Sequence, residues 1–286
     1  MSSSAADQPV AREREFHFSE EEFAALRKLV KTHTGIHLSD QKRELVYGRL
    51  SRRLRALGMN DFREYRALLN EEGSTELVDF CNAITTNLTS FFRENHHFDY
   101  LRDTYLKGRA QERGASRRLR FWSAGCSTGE EPYSIAITIH EALRDLKPWD
   151  IRILATDLDT DVLARARNGV YAEDRVRGLA ASRKANFFDE RWSGNHATYH
   201  VNPALREMIV FNQLNLMNTL PMKGPLDVIF CRNVVIYFDK DTQRALFARM
   251  AALQRPGALL FIGHSESLFK VSDAYTLIGK TIYRRN

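Results

Sequence analysis

The run Phe121-Trp122-Ser123-Ala124-Gly125-Cys126-Ser127-Thr128-Gly129-Glu130-Glu131-Pro132-Tyr133-Ser134 has the residue types of a ligand cradle. An apolar stretch enters a loop of small residues, and a helix is expected to follow. Gly125 and Gly129 permit a sharp turn and a close approach of the backbone to a ligand. Pro132 suits a first helical turn, where a missing N–H costs nothing. A ligand on this loop would meet the free N–H groups at the helix start. The spacing G-x-x-x-G is neither the dinucleotide fingerprint nor the P-loop. Glu130 and Glu131 would repel a phosphate but accept hydrogen bonds from ribose or an amino group, and Glu131 is the expected direct contact. The chemistry implied is that of a nucleoside-like cofactor without a polyphosphate.

In open α/β sheets, ligands bind at the carboxyl ends of the strands. The apolar run after this loop ends in Thr156-Asp157-Leu158-Asp159, a carboxylate placed for ribose hydroxyls. Another ends in Asn215-Leu216, an amide and an apolar side chain suited to the edge and face of a base. A fourth ends in Cys231-Arg232-Asn233-Val234-Val235-Ile236-Tyr237-Phe238. Any one of these polar residues could simply cap the next helix. Four polar strand ends with one glycine loop read as a pocket.

The elements that must carry these residues fall into two patterns. From Ser19 to Thr86 the spacing is helical. Ser19-Glu20-Glu21-Glu22 has capping-box form, Gly35 and Gly58 end successive helices, and Ser39 or Asp40 is expected to cap the second. From Leu119 onward, apolar runs alternate with amphipathic helices: strands are expected at Leu119–Ala124, Ile151–Thr156, Met208–Leu214, Leu226–Cys231 and Ala258–Gly263, and helices at Tyr133–Leu146, Asp161–Arg167 and Asp241–Leu253. That alternation implies a parallel α/β sheet. Asn186-Phe187-Phe188 and Ala197–Val201, around Trp192-Ser193-Gly194-Asn195, read as a small antiparallel β insert. The expected organisation is a disordered tail over 1–15, a small all-helical domain over 16–90, a linker and connecting helix over 91–117 ending in Arg113 to Arg117, and an α/β domain over 118–286 with the insert at about 185–212.

The chain has 286 residues, 43% hydrophobic and 27% charged, which is ordinary for a soluble globular protein. No stretch is apolar enough to span a bilayer, and the polar N-terminus lacks the apolar core of a signal peptide. Cys81, Cys126 and Cys231 show no C-x-x-C pairing, which fits a reducing cytoplasm and gives no metal site. The net charge of +6 permits an acidic protein, a nucleic acid or an anionic lipid as partner.

The second half resembles class I S-adenosylmethionine-dependent methyltransferases. More narrowly, Thr85–Arg93 (TTNLTSFFR), Ser127–Ser134 (STGEEPYS), Ala155–Asp159 (ATDLD) and Phe230–Phe238 (FCRNVVIYF) resemble the signature segments of the CheR family, the bacterial chemoreceptor glutamate O-methyltransferases. The resemblance covers nearly the whole chain after the tail. It implies a Rossmann-like methyltransferase domain, S-adenosylmethionine as cofactor with S-adenosylhomocysteine as product, and roles at matching positions. Asn87, Thr89, Arg93, Glu131, Asp157, Asn215, Leu216, Arg232 and Asn233 would bind the cofactor, and Arg93 and Tyr237 would serve catalysis. Read alone, Phe91-Phe92-Arg93 would be a core pair beside a surface arginine.

A glutamate acceptor is already ionised at neutral pH, so such a transfer needs no strong base, and the sequence offers no nucleophile–base pair. Arg49, Arg52 and Arg53 lie at i, i+3 and i+4, a stripe that is ordinarily a solvated face. The resemblance implies that it binds the substrate, since methyl-accepting chemoreceptors present an acidic cytoplasmic helical bundle. The implied protein is a cytoplasmic monomer that neither binds nucleic acid nor inserts in a membrane. The alternative is a nucleic-acid methyltransferase using the same helix on phosphate, although no aromatic residues interleave with the basic ones. Gly263-His264-Ser265-Glu266-Ser267 lacks the final glycine of a hydrolase elbow, and no histidine follows it. Adjacent His96 and His97 are expected to point apart. The segment Asp189–His196 has one glycine where family members that grip a receptor C-terminal peptide are glycine-rich, which argues against that tether.

Overall fold

The computed structural model describes residues 14–286 except 113, 115 and 144. Most of the expected tail, two residues of the expected linker and one residue within Tyr133–Leu146 therefore lie outside the described residues.

Four helices come first: α1 (Glu20–Thr34), α2 (Arg43–Leu57), α3 (Phe62–Asn70) and α4 (Glu76–Ile84). The capping box at α1 forms: the Ser19 hydroxyl accepts the Glu22 N–H at 3.1 Å, and the Glu22 carboxylate accepts the Ser19 N–H at 2.8 Å. Gly35 and Gly58 end α1 and α2 in the left-handed conformation. Ser39 and Asp40 do not cap α2 with their side chains; a 3-10 turn over Asp40–Lys42 leads into it, and Asp40 instead pairs with Arg27 of α1 at 2.8 Å. Asp61 caps α3, accepting the Arg63 and Glu64 N–H groups at 2.8 Å each. The stripes Phe23-Leu26-Val30, Val46-Leu50-Leu54 and Phe62-Tyr65-Leu69 meet Phe80 and Ile84 in one core.

A continuous rod follows, α5 (His96–Tyr100), a π-helical turn (Leu101–Leu106) and α6 (Lys107–Gln111). It buries Phe98, Leu101 and Leu106 against one face of a sheet. The alternating part comprises β1 (Arg118–Ala124), α7 (Glu130–Ala142), β2 (Asp150–Asp157), α8 (Thr160–Asn168), β3 (Val170–Ala172), α9 (Glu173–Val176), α10 (Ala181–Phe187), β4 (Phe188–Ser193), β5 (His196–Val201), α11 (Pro203–Arg206), β6 (Ile209–Gln213), β7 (Leu226–Cys231), α12 (Lys240–Ala252), β8 (Gln254–Ile262), β9 (Tyr275–Gly279) and β10 (Ile282–Arg285). Seven strands form one sheet in the order β6-β2-β1-β7-β8-β10-β9, with β10 antiparallel to both neighbours and the others parallel. The strand order reverses between β1 and β7, so the loops leaving those two strands diverge and open a crevice.

Two pieces differ from the expected layout. The insert is a three-stranded sheet, β3-β5-β4, that begins at Val170, upstream of the expected range, while residues 209–213 belong to the main sheet. Residues 186–187 close α10 instead of starting a strand. β3 is only three residues long, too short for alternation to show. The C-terminal hairpin β9–β10 also went unread, because Ile282-Tyr283-Arg284-Arg285 has no apolar–polar alternation.

Candidate functional site

The crevice becomes a cleft between the helical bundle and the carboxyl ends of the strands, about 1270 Å³ with its open mouth included. Ten residues singled out from the sequence line it together: Asn87, Thr89, Arg93, Glu131, Asp157, Asn215, Leu216, Arg232, Asn233 and Tyr237. Arg49, Arg52 and Arg53 do not; α2 reaches the cleft through Lys42 and Leu45, the former in the turn before it.

The glycine loop after β1 is shaped by the chain's own packing. Gly125 and Gly129 have φ of +95° and +97°. A Cβ at Gly125 would stand 2.4 Å from Val234 Cγ2, and one at Gly129 would stand 2.8 Å from the Tyr171 hydroxyl. What comes close is thus protein, whereas the sequence suggested a ligand. The Thr156 carbonyl accepts both the Gly125 and Cys126 N–H groups, at 2.8 and 2.9 Å. Asp157 accepts the Ser127 N–H at 2.8 Å and the Asp159 N–H at 3.0 Å. Burial nevertheless pushes the Asp157 carboxyl up. Asp159 is the helix cap, accepting the Asp161 and Val162 N–H groups with one oxygen. Its other oxygen takes Thr85 Oγ1 and Asn87 Nδ2, each at 2.7 Å, and so ties the crossing segment to the sheet.

The two glutamates at the start of α7 part company. Glu130 is fully buried and held by Arg175, away from the cleft. Glu131 faces the cleft; its carboxylate accepts from the Ser123 hydroxyl at 2.7 Å and from Arg232 Nη1 at 3.1 Å. Burial raises the Glu131 carboxyl, and the Arg232 charge opposes that rise. Arg232 also lies 3.5 Å from Glu94 and donates to the Arg93 carbonyl, while its Nε, buried, has no protein partner among the described residues. Burial works against the Glu94 carboxylate, but a 2.8 Å bond from His264 and the Arg232 charge hold it down at about 2. The rings of His96 and His97 do not point apart as expected: their centroids are 4.1 Å apart, and His97, buried, bonds Thr281 Oγ1 at 2.9 Å.

Glu94 and Glu266 are the residues that sequence reasoning missed. Glu266, 6% exposed, accepts four backbone N–H groups: Gly263 (2.5 Å) and Asn233 (3.0 Å) on one oxygen, Val235 (2.9 Å) and Ile236 (3.3 Å) on the other. It thereby fixes the turn that presents Tyr237 to the cleft. Asn233, like Phe92, Glu94 and Ser127, is a non-glycine residue at positive φ. Lys270 and Thr281, outside the cleft lining, share this conformation, so these four mark tight turns around the cleft and do not by themselves single it out.

Several predicted contacts are partly engaged within the chain. Asn215 donates from Nδ2 to the His33 carbonyl at 2.5 Å, joining the sheet to α1. Arg93 Nη1 donates to the Leu88 carbonyl at 2.8 Å, and no other nitrogen of its fork has a partner among the described residues. Arg53 is bidentate to the buried Glu76, at 2.8 and 2.6 Å, and also meets Asp79. Arg49 donates to the carbonyls of Ile84 and Thr85 at 2.6 Å each, closing the end of α4. Of the three, Arg52 is the exposed one, and no ion pair engages it among the described residues.

The residues present fit S-adenosylmethionine. Two carboxylates, Glu131 and Asp157, suit an amino group and ribose hydroxyls. The orphaned Arg232 Nε and the free part of the Arg93 fork suit a carboxylate. Leu158, Leu214, Leu216 and Val234 offer apolar walls for a base.

Residues 87–284 match the "CheR methyltransferase, SAM binding domain" and residues 21–85 the "CheR methyltransferase, all-alpha domain". The chain is 47% identical to "Chemotaxis protein methyltransferase 2" of Pseudomonas aeruginosa over 276 residues, 96% of each chain. It is 41% identical to "Chemotaxis protein methyltransferase" of Escherichia coli over 267 residues, 93% of this chain and 91% of that one, and 41% identical to the "Probable chemotaxis protein methyltransferase" of Rhizobium etli over 90% of this chain and 96% of that one. With its Rossmann-like sheet, its helical bundle and a cleft whose donors match the cofactor, the chain belongs to the CheR family of S-adenosylmethionine-dependent methyltransferases.

Proposed function

We propose that the protein transfers a methyl group from S-adenosylmethionine to glutamate side chains of methyl-accepting chemoreceptors, forming methyl esters in chemotactic adaptation. The observation that carries this reading is a cleft that gathers ten candidate residues and opens beside a basic helix, and the transfer proposed does not call on a base. An ionised glutamate needs none. The cofactor supplies an electrophilic methyl on a sulfonium; the carboxylate oxygen forms the new C–O bond as the S–CH₃ bond breaks and opposite charges cancel. The protein's part is alignment and exclusion of water. Glu131, Asp157, Asn87 and Thr89 hold the amino and ribose groups, Arg232 and Arg93 the carboxylate, and Asn215, Leu216 and Asn233 complete the pocket. Tyr237 orients the accepting carboxylate through its hydroxyl. The proposed setting is the cytoplasm, as a monomer; the cysteines are free and buried, and no helix among the described residues is long and apolar enough to cross a membrane.

The basic stripe of α2 docks the acidic receptor bundle, chiefly through Arg52. Arg49 and Arg53 are the wrong residues for a charge-reversal test, since reversing Arg53 would set three carboxylates together and reversing Arg49 would unseat α4. Arg52→Glu is expected to raise the receptor KM about tenfold and to leave cofactor affinity unchanged. Steady-state methylation of a receptor fragment checks this; an unaltered receptor KM would remove α2 from the docking surface.

A further inference from the structure

We propose that Leu88 is a specificity-determining residue, an apolar side chain fixed at the mouth of the cleft to pack against an apolar residue beside the accepting glutamate. This rests on the reading that the acceptor is a glutamate on a helical, acidic partner.

Leu88 lines the cleft and is 77% exposed. A lone exposed leucine on a mobile loop would carry no meaning, but this one is pinned. Three consecutive carbonyls are each held: Asn87 O accepts from Ser127 Oγ in the glycine loop at 3.0 Å, Leu88 O from Arg93 Nη1 of the same strip at 2.8 Å, and Thr89 O from Arg175 Nη2 of α9 at 3.2 Å. The Asn87 side chain is bound to Asp159, and the next apolar residues along the chain, Phe91 and Phe92, are buried. The strip therefore cannot fold Leu88 inward without giving up several of these bonds. A second apolar side chain, Ile236, is 48% exposed and directly precedes Tyr237 on the turn fixed by Glu266.

Charge on the surrounding rim selects the occupant. Lys42 and Arg93 line the cleft, and Arg52 stands exposed on α2. An acidic amphipathic helix meets both conditions. Residues three or four apart share a helix face, so a glutamate entering the cleft brings its apolar neighbour at i±3 or i±4 onto the rim. Leu88 then reads the sequence around the glutamate and selects among the glutamates of one helix, a choice that the charge of α2 cannot make.

The test uses the full chain, a receptor cytoplasmic fragment and labelled S-adenosylmethionine. Leu88→Ser is expected to raise the receptor KM about tenfold, with the thermal midpoint and the cofactor Kd, measured by calorimetry without receptor, unchanged. Leu88→Met, which keeps the apolar volume, should stay within about twofold of the parent. Replacing the apolar receptor residue at i±3 or i±4 by Ala should raise KM for the parent enzyme but add little to Leu88→Ser. An unchanged receptor KM overturns the proposal. So does a weakened cofactor Kd, which would make Leu88 a cover for the cofactor. If the parent enzyme itself transfers no methyl to the receptor fragment, the reading beneath the proposal fails with it.

Discussion

Arg232→Met is expected to weaken S-adenosylmethionine binding at least about 100-fold and to lower folding stability by about 3–5 kcal/mol. Arg232 stands between Glu131, at 3.1 Å, and Glu94, at 3.5 Å, with its side chain almost wholly buried. Removing the cation leaves two buried carboxylates that face each other's field, and Glu131, already pushed up by burial, moves further up. A protonated Glu131 would not fill its proposed role as a charged acceptor for the amino group of the cofactor. The structural and binding parts of the loss can be separated. In Glu131→Gln/Arg232→Met that pair becomes neutral while Glu94 keeps its 2.8 Å bond from His264, and replacing a buried ion pair as a whole is often nearly neutral for stability. The double variant should regain most of the urea stability and none of the cofactor affinity. Calorimetric titration beside urea melts checks both; recovery of cofactor binding in the double variant would show that the pair only supports the fold.

Glu266→Gln is expected to reduce turnover about 100-fold or more while changing cofactor affinity far less. The carboxylate accepts N–H groups with both oxygens, two on each. A glutamine keeps the shape but presents an NH₂ to two of those donors, leaving them buried without an acceptor, at about 1–3 kcal/mol each. The turn over Val235–Tyr237 shifts, and an error of about 1 Å in a positioning group is enough for a loss of that size. Asp157 and Glu131, on the other side of the cleft, keep their own bonds, so of the proposed cofactor contacts only Asn233, whose N–H Glu266 holds, is disturbed. Single-turnover rates at saturating cofactor, compared with equilibrium cofactor binding, check this. Equal losses in both would mean that Glu266 supports the cofactor site and not Tyr237.

The strands that carry the proposed cofactor residues were legible because each is a buried apolar run ended by glycine or polar residues, as in Trp122–Gly129 and Ala155–Asp159. The ends of α1 and α2 were legible for a local reason too: capping boxes and left-handed glycines are written within a few residues. The residues that were missed act at long range. Glu266 sits in a segment whose spacing suggested a failed hydrolase motif, and its work is visible only once β8 lies beside β7. Glu94 gains meaning only when α5 brings it to Arg232 and His264. Arg49, Arg52 and Arg53 share a helical spacing, but periodicity does not reveal that α4 engages two of them and leaves the third in water. The small sheet was only half legible, since β3 pairs with β5 across two intervening helices and a strand.

The most direct test of the central claim is to incubate the purified protein with methyl-labelled S-adenosylmethionine and a chemoreceptor cytoplasmic fragment, then locate the label by peptide mass spectrometry. The account predicts one methyl per modified site, on glutamate side chains, released as methanol by mild base as an ester would be. Label stable to base, or found on a nucleic acid or on lysine or arginine side chains, would contradict it.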